Sequence, residues 1–330
     1  MKFSFFALKT MLIELSESQT RQQLDASSVF TALLEARAEA AVVRGSMIWR
    51  EIDGRRYLIR TSTAGAQKSL GPESSETQAI AARFFDRKEM AAERLRQLTE
   101  QVVVMQRMNR ALRVGRVPNV VVETLNALEK AGVAEHFLVV GTHALYAYES
   151  AAGVRIPDGA MATRDVDLFF DTRKGVKLFS SLGRLDSSMI ALLQKVDKTF
   201  RVRHSSKYTA VNAAGFEVDI IRRVARDGDP HPLRMSDDED DLWAAQVPSG
   251  DNILGARPFE EVVVATSGAM ARMRTIHPLD FARIKDRLSK ATDRDPLKAR
   301  KDALQASVAR EIVRDYLPQL AEHVPASGPG

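Results

Sequence analysis

The alternation of apolar and polar positions divides the chain into helical and extended runs. Residues 17–45 are rich in Ala, Leu, Glu and Arg, all good helix formers, and read as one helix. Two alternating runs, Ser46 to Ile52 and Arg55 to Arg60, flank Asp53-Gly54. A two-residue Asp-Gly link between such runs predicts a β-hairpin over about 47–60. Residues 61–76, rich in Gly, Ser, Thr and Lys, read as a loop. A long helix of mixed charge is expected from Ser75 to Leu112, as a partly packed scaffold element.

Arg116-Val117-Pro118 interrupts the pattern, and beyond it short apolar runs alternate with helices. The periodicity predicts a helix over 119–131, a buried strand from Phe137 to Val140, a helix over 142–152 and a strand from Thr163 to Asp171. Residues 174–195 read as mostly helical. Thr199 to Arg203, Tyr208 to Asn212 and Phe216 to Arg222 read as strands, the last two joined by a turn at Ala213-Ala214-Gly215. Asp227 to Asp241 is a polar loop whose five final acids, Asp237 to Asp241, are expected to be solvated. Glu260 to Thr266 reads as another strand, residues from Pro278 as charged helix, and the Pro/Gly/Ser-rich end as disordered. This order implies an α/β (α+β) fold, a small mixed sheet covered by helices. The expected domains are an N-terminal helical region with its hairpin (1–115), a core (116–266) and a C-terminal helical region (267–330).

A chain of 330 residues with 45% hydrophobic content can bury a substantial core. No run approaches the roughly 20 apolar residues of a membrane span. The opening Met1-Lys2-Phe3-Ser4-Phe5-Phe6-Ala7-Leu8 has a signal-like look, but Lys9 and Glu14 interrupt it, so it reads as an amphipathic segment. The absence of cysteine excludes disulfides and thiolate metal sites and suits a reducing cytoplasm. A net charge of +5 permits an anionic partner without requiring one. Arg55, Arg56, Arg60 and Lys68 could meet a nucleic-acid backbone, or could simply charge a strand edge against aggregation.

The candidate chemistry lies between Val139 and Asp171. An apolar strand ends in Gly141-Thr142 and a helical pattern begins at once, which is a natural seat for a phosphate. The next strand carries Asp165 and Asp167 two positions apart, so both face one side while Val166 and Leu168 face the other. Paired carboxylates on an apolar strand repel each other and become tolerable around a divalent cation. Glu217 and Asp219 repeat the spacing on a later strand, and either could supply a third carboxylate if the strands are neighbours. Three carboxylates can hold two Mg²⁺ ions about 3.5–4 Å apart, an arrangement suited to nucleotidyl transfer, and the third acid would be a natural proton acceptor. His143 and the tyrosines Tyr146 and Tyr148 read as capping or packing residues.

These residues in this order resemble the DNA polymerase β-type nucleotidyltransferase superfamily, whose pattern is a glycine turn, a D-x-D strand and a third Asp on a neighbouring strand. The words A-L-Y-A-Y-E, A-T-R-D-V-D-L, F-E-V-D-I-I, F-E-E-V-V-V-A and H-P-L-D-F-A-R-I-K place the chain beside a little-characterised bacterial branch, similar to toxin-type and abortive-infection nucleotidyltransferases. Thr142 stands where Ser or Gly is more usual, and its hydroxyl can still donate to phosphate. The gap from Gly141 to Asp165 is longer than in compact members. The resemblance implies that Gly141 and Thr142 hold the triphosphate and that Asp165, Asp167 and Asp219 bind Mg²⁺ or Mn²⁺, with Asp219 preferred over Glu217. It implies Lys285, on a C-terminal helix, for neutralising triphosphate charge, with Asp302 a weaker candidate. Arg164, beside the first Asp, would contact phosphate or pair with a nearby acid. The implied reaction moves a nucleoside monophosphate from an NTP to a hydroxyl on RNA such as tRNA, on a protein or on a small molecule. An antitoxin-type partner belongs to the same resemblance. The alternative is a non-catalytic module of this fold that binds nucleic acid or a protein.

Overall fold

The computed structural model describes residues 12–174, 178 and 188–321. The opening segment, the first part of the helix expected over 174–195 and the terminal tail lie outside the described residues. The chain forms two compact units, one of Arg21–Ala111 and one that joins the residues up to Thr20 to those from Leu112 onward. No described helix is long and apolar enough to cross a membrane.

The chain begins with β1 (Ile13–Glu14) and α1 (Glu17–Val42). A three-stranded antiparallel meander follows, β2 (Ser46–Ile52), β3 (Arg55–Thr61) and β4 (Gln67–Pro72), and then the long α2 (Ser75–Ala111). The hairpin closes as expected, with Asp53 at φ 50° and Gly54 at φ 71°, both in the left-handed region that a tight two-residue turn requires. β4 occupies the stretch that composition marks as a loop. It pairs with β3 through its main chain and contributes one partly buried apolar side chain, Leu70, so its pattern carried almost no strand signal. Met47, Leu58 and Ala81 form the small core there. Arg60 stacks over Phe84 at 4.4 Å and donates to the Ser46 carbonyl at 3.1 Å, while Arg56 pairs with Glu73 at 3.2 Å. Two of the four cations considered for a nucleic-acid backbone are therefore engaged within this unit.

The larger unit is built from α3 (Asn119–Lys130), β5 (Phe137–Val140), a 3₁₀ turn at Gly141–Ala144, α4 (Leu145–Ala152), β6 (Val154–Arg155), α5 (Asp158–Met161) and β7 (Asp165–Phe170). Then come α6 (Met189–Val196), β8 (Arg201–Arg203), β9 (Ser206–Val211), β10 (Glu217–Arg223), β11 (Ala245–Val247) and α7 (Gly250–Leu254). The hairpin β12 (Pro258–Val264) and β13 (Met270–Ile276) leads into α8 (Pro278–Ser289) and α9 (Pro296–Asp315). The central sheet runs β5-β7-β10-β9-β8, with β11 also on β10. β10 is parallel to β7 and β11 and antiparallel to β9, so the sheet is mixed. One continuous apolar core fills this unit, with Val166, Leu168, Val218 and Ile220 at its centre. β13 alternates apolar residues with Arg272 and Arg274, which both pair with Glu129 of α3.

The acidic run ends differently from its expected solvated state. Asp241 is fully buried and accepts from the backbone N–H groups of Met189 at 2.9 Å and Ile190 at 2.8 Å, so it caps the start of α6. Asp237 to Asp240 are exposed, as a charged loop should be.

Glu149 of α4 ties several segments of this unit together. Its buried carboxylate accepts from Arg116 Nε at 2.8 Å, Arg155 Nη1 at 3.4 Å and the Ile156 N–H at 3.0 Å. Removing it leaves Arg116 with only the exposed Asp158 and the Ile156 carbonyl, and leaves Arg155 with main-chain carbonyls alone, so two largely covered guanidinium groups lose their buried counter-charge. Glu149→Ala should therefore destabilise the larger unit by about 3 kcal/mol, and Glu149→Gln by roughly half as much. Urea unfolding of the full chain, followed by the fluorescence of Trp243 in a Trp49→Phe background, measures the shift.

Candidate active site

β7 and β10 run parallel with Asp165 beside Glu217 and Asp167 beside Asp219. The period of two puts these four acids on one face of the sheet and the buried residues Val166, Leu168, Val218 and Ile220 on the other. Asp165, Asp167 and Asp219 each bring an oxygen to a cluster whose atoms lie within 4.8 Å of one another. Glu217 shares the face but is engaged by Arg203 in an ion pair. The Thr163 hydroxyl donates to Asp165 Oδ1, and the Thr209 hydroxyl donates to Asp219 Oδ1 at 2.5 Å.

Burial, then the neighbouring Asp165 and Asp219, push the Asp167 carboxyl up to about 7. Burial also raises Asp219, against the lowering effect of its Thr209 hydrogen bond. Three oxygen donors that repel one another in this way fit a hard divalent cation, which removes the repulsion on binding.

The glycine turn lies directly against this cluster. Val140 pairs with Asp167 across β5 and β7, and the chain then bends at Gly141 with φ +64°. A Cβ at Gly141 would run into Asp167 Oδ2, so only glycine brings the turn this close to the carboxylate. Thr142 follows, nearly buried, and its hydroxyl oxygen accepts from Gln305 Nε2 at 3.0 Å. The same nitrogen donates to the Ala160 carbonyl at 2.7 Å. One helical turn earlier on α9, Lys301 donates to the Ala162 carbonyl at 2.6 Å. α9 thus holds both the glycine turn and the segment that feeds β7.

Lys285 of α8 is close enough to lower the Asp167 carboxyl, but its own ammonium is buried against Asp302 Oδ1 at 2.7 Å. Arg294, partly exposed, binds the same carboxylate at 2.7 Å, which leaves this triad with one excess positive charge beside the acidic cluster. Lys301 is pulled down by burial and then by Lys285, while Asp165 opposes both. Arg164 is exposed beside the cluster, and its carbonyl accepts from the Glu217 N–H at 2.9 Å. His143 packs against Tyr146 and Phe216, and burial lowers its imidazole to about 4, so it is neutral at physiological pH. Tyr148 is a core residue whose hydroxyl donates to the Ile276 carbonyl at 2.7 Å.

The structure therefore brings together Gly141, Thr142, Asp165, Asp167 and Asp219, with Arg164 at the edge and Lys285 paired beside them. Sequence reasoning missed Thr163, Thr209, Lys301 and Gln305. The four-residue spacing of Lys301 and Gln305 marks one helix face, but nothing in the pattern says that this face meets the glycine turn.

A family model described as nucleotidyltransferase matches residues 119–327, from the start of α3 through α9. No curated protein and no solved structure matches the chain.

A carboxyl raised from the unfolded value to about 7 costs the metal-free protein stability as pH rises through that interval. Below about pH 4 the aspartic acid is protonated in both states and the penalty vanishes. In chelator, Asp167→Asn should therefore melt higher than the wild type at pH 8, with a gain on the order of a few kcal/mol that shrinks towards zero by about pH 4. Calorimetric melts across that range check the sign.

Proposed function

The chain belongs to the nucleotidyltransferase family, and from that premise we propose that it moves a nucleoside monophosphate from an NTP to a hydroxyl acceptor, with release of pyrophosphate. The observation that carries this reading is the convergence of Asp165, Asp167 and Asp219 within 4.8 Å beside the Gly141 turn. The three carboxylates would hold Mg²⁺ or Mn²⁺. Such ions, when bound, supply neutralisation of the triphosphate and activation of the attacking hydroxyl.

The chain's own residues do the rest. Gly141 and Thr142 seat the triphosphate against the cluster. Asp219 is the third acid, because its neighbour Glu217 is occupied by Arg203. A carboxylate at this place, beside the attacking hydroxyl, is the natural acceptor of its proton. Lys301 and the net positive Lys285–Asp302–Arg294 group favour the anionic substrate from beside the cluster, and Arg164 reaches it from the rim. The acceptor is a hydroxyl of RNA, a protein side chain or a small molecule. Unit Arg21–Ala111, which lies outside the family match, is the natural place for acceptor choice. The cysteine-free composition suits a cytoplasmic protein.

Incubation with each α-labelled NTP, Mg²⁺ or Mn²⁺, and total RNA or cell lysate should give labelled product. Asp165→Ala/Asp167→Ala should abolish it. Asp219→Asn should reduce it by at least about 100-fold, whereas Glu217→Gln should change it by less than about fivefold. Metal-dependent NTP binding without transfer to any acceptor would instead favour a non-catalytic module, and transfer by the double variant would refute the site.

A further inference from the structure

Gln305 sits on α9 and is fully buried. Its amide makes two donations from one nitrogen, to the Ala160 carbonyl at 2.7 Å and to the Thr142 hydroxyl oxygen at 3.0 Å. Its Oε1 is buried with no hydrogen-bond partner among the described residues. A buried acceptor left without a donor is unfavourable, so the residue is expensive where it stands.

The orientation of this amide is settled by chemistry. A carbonyl oxygen only accepts, so the group facing Ala160 must be the NH₂ and not Oε1. The second proton of that NH₂ then points at Thr142. The Thr142 hydroxyl must accept it and cannot spend its own proton on Gln305. A hydroxyl has a single proton and two lone pairs, so its proton is left to bond elsewhere. No acceptor among the described residues takes it. Thr142 directly follows Gly141, the residue that lies against Asp167, so this proton belongs to the turn beside the acidic cluster.

We propose that Gln305 is a positioning residue that fixes the Thr142 hydroxyl as a donor to the phosphate of an incoming nucleotide. The inference rests on the nucleotidyl-transfer reading and names how that site distinguishes a triphosphate from empty space. Without the amide, the hydroxyl could rotate and offer a lone pair to the phosphate, which repels. With it, a charge-assisted hydrogen bond is set before the ligand arrives.

The test is a double-mutant cycle on the full chain, read as the affinity for ATP, CTP, GTP and UTP with Mg²⁺ by calorimetry. Thr142→Val removes the hydroxyl at constant shape, and Gln305→Met removes the amide. Each should weaken binding of the preferred nucleotide about tenfold. The double variant should be no weaker than either single variant by more than about twofold, because Gln305 acts only through that hydroxyl. Thr142→Ser should restore the wild-type range. A structural role alone would lower the melting temperature but give effects that multiply in the double variant, and multiplication would overturn the proposal. So would a folded Gln305→Met protein that binds like the wild type. If circular dichroism shows that Gln305→Met is unfolded, Gln305→Asn replaces it, since the shorter side chain withdraws the amide without adding an apolar group. If neither folds, Thr142→Val decides, and wild-type affinity there overturns the proposal. A wild-type protein that binds none of the four nucleotides would overturn the nucleotidyl-transfer reading itself. Binding by the wild type with unchanged variants overturns the positioning role alone.

Discussion

Like-charge repulsion among Asp165, Asp167 and Asp219 is the constraint on which the rest of the larger unit depends. Three carboxylates brought within 4.8 Å resist desolvation and resist one another. Holding them together takes a rigid platform, and the parallel pair β7 and β10 provides it. Main-chain pairing sets Asp167 beside Asp219, and the apolar face beneath buries Val166, Leu168, Val218 and Ile220. A slip of one residue would bury the acids and expose the core side chains, so the hydrophobic pattern enforces the register that aligns the acids.

The surroundings answer the same constraint. Thr163 and Thr209 each give a hydroxyl to one of the acids. Positive charge sits beside them in the Lys285–Asp302–Arg294 group and in Lys301. Lys285 acts through its field from a buried ion pair with Asp302. Gly141 lets the turn approach Asp167 because it carries no Cβ. α9 ties the turn and the entry to β7 together through Gln305 and Lys301. The loop after β10 contributes at a distance, since Asp241 caps α6.

Much of this was legible in the chain. The Asp-Gly hairpin, the two long helices of the smaller unit and the strands carrying the acids all follow from period and turn chemistry. The family match over residues 119–327 covers the stretch that carries the glycine turn, the paired acids and the third acid. β4 was hidden because its pairing is made by the backbone, and it carries one partly buried apolar side chain. Asp241 looked like its four exposed neighbours, and only the position of the α6 N-terminus separates it from them.

The sequence by itself determined which acids share a strand face, because side chains alternate with a period of two whatever the strand meets. It also determined that Gly141 must end a strand and open a helical turn. The resemblance preferred Asp219 as the third acid, but spacing alone did not, and it is the tertiary structure that brings Asp219 into the cluster. Glu217 and Asp219 are equivalent by spacing, and they part company because Arg203, on a strand that β9 separates from β10, engages one and not the other. The tertiary structure likewise decided that Lys285 is paired and that Gln305 meets Thr142. Partners 17 and 163 positions apart in the chain find each other through helix packing, which local periodicity does not encode.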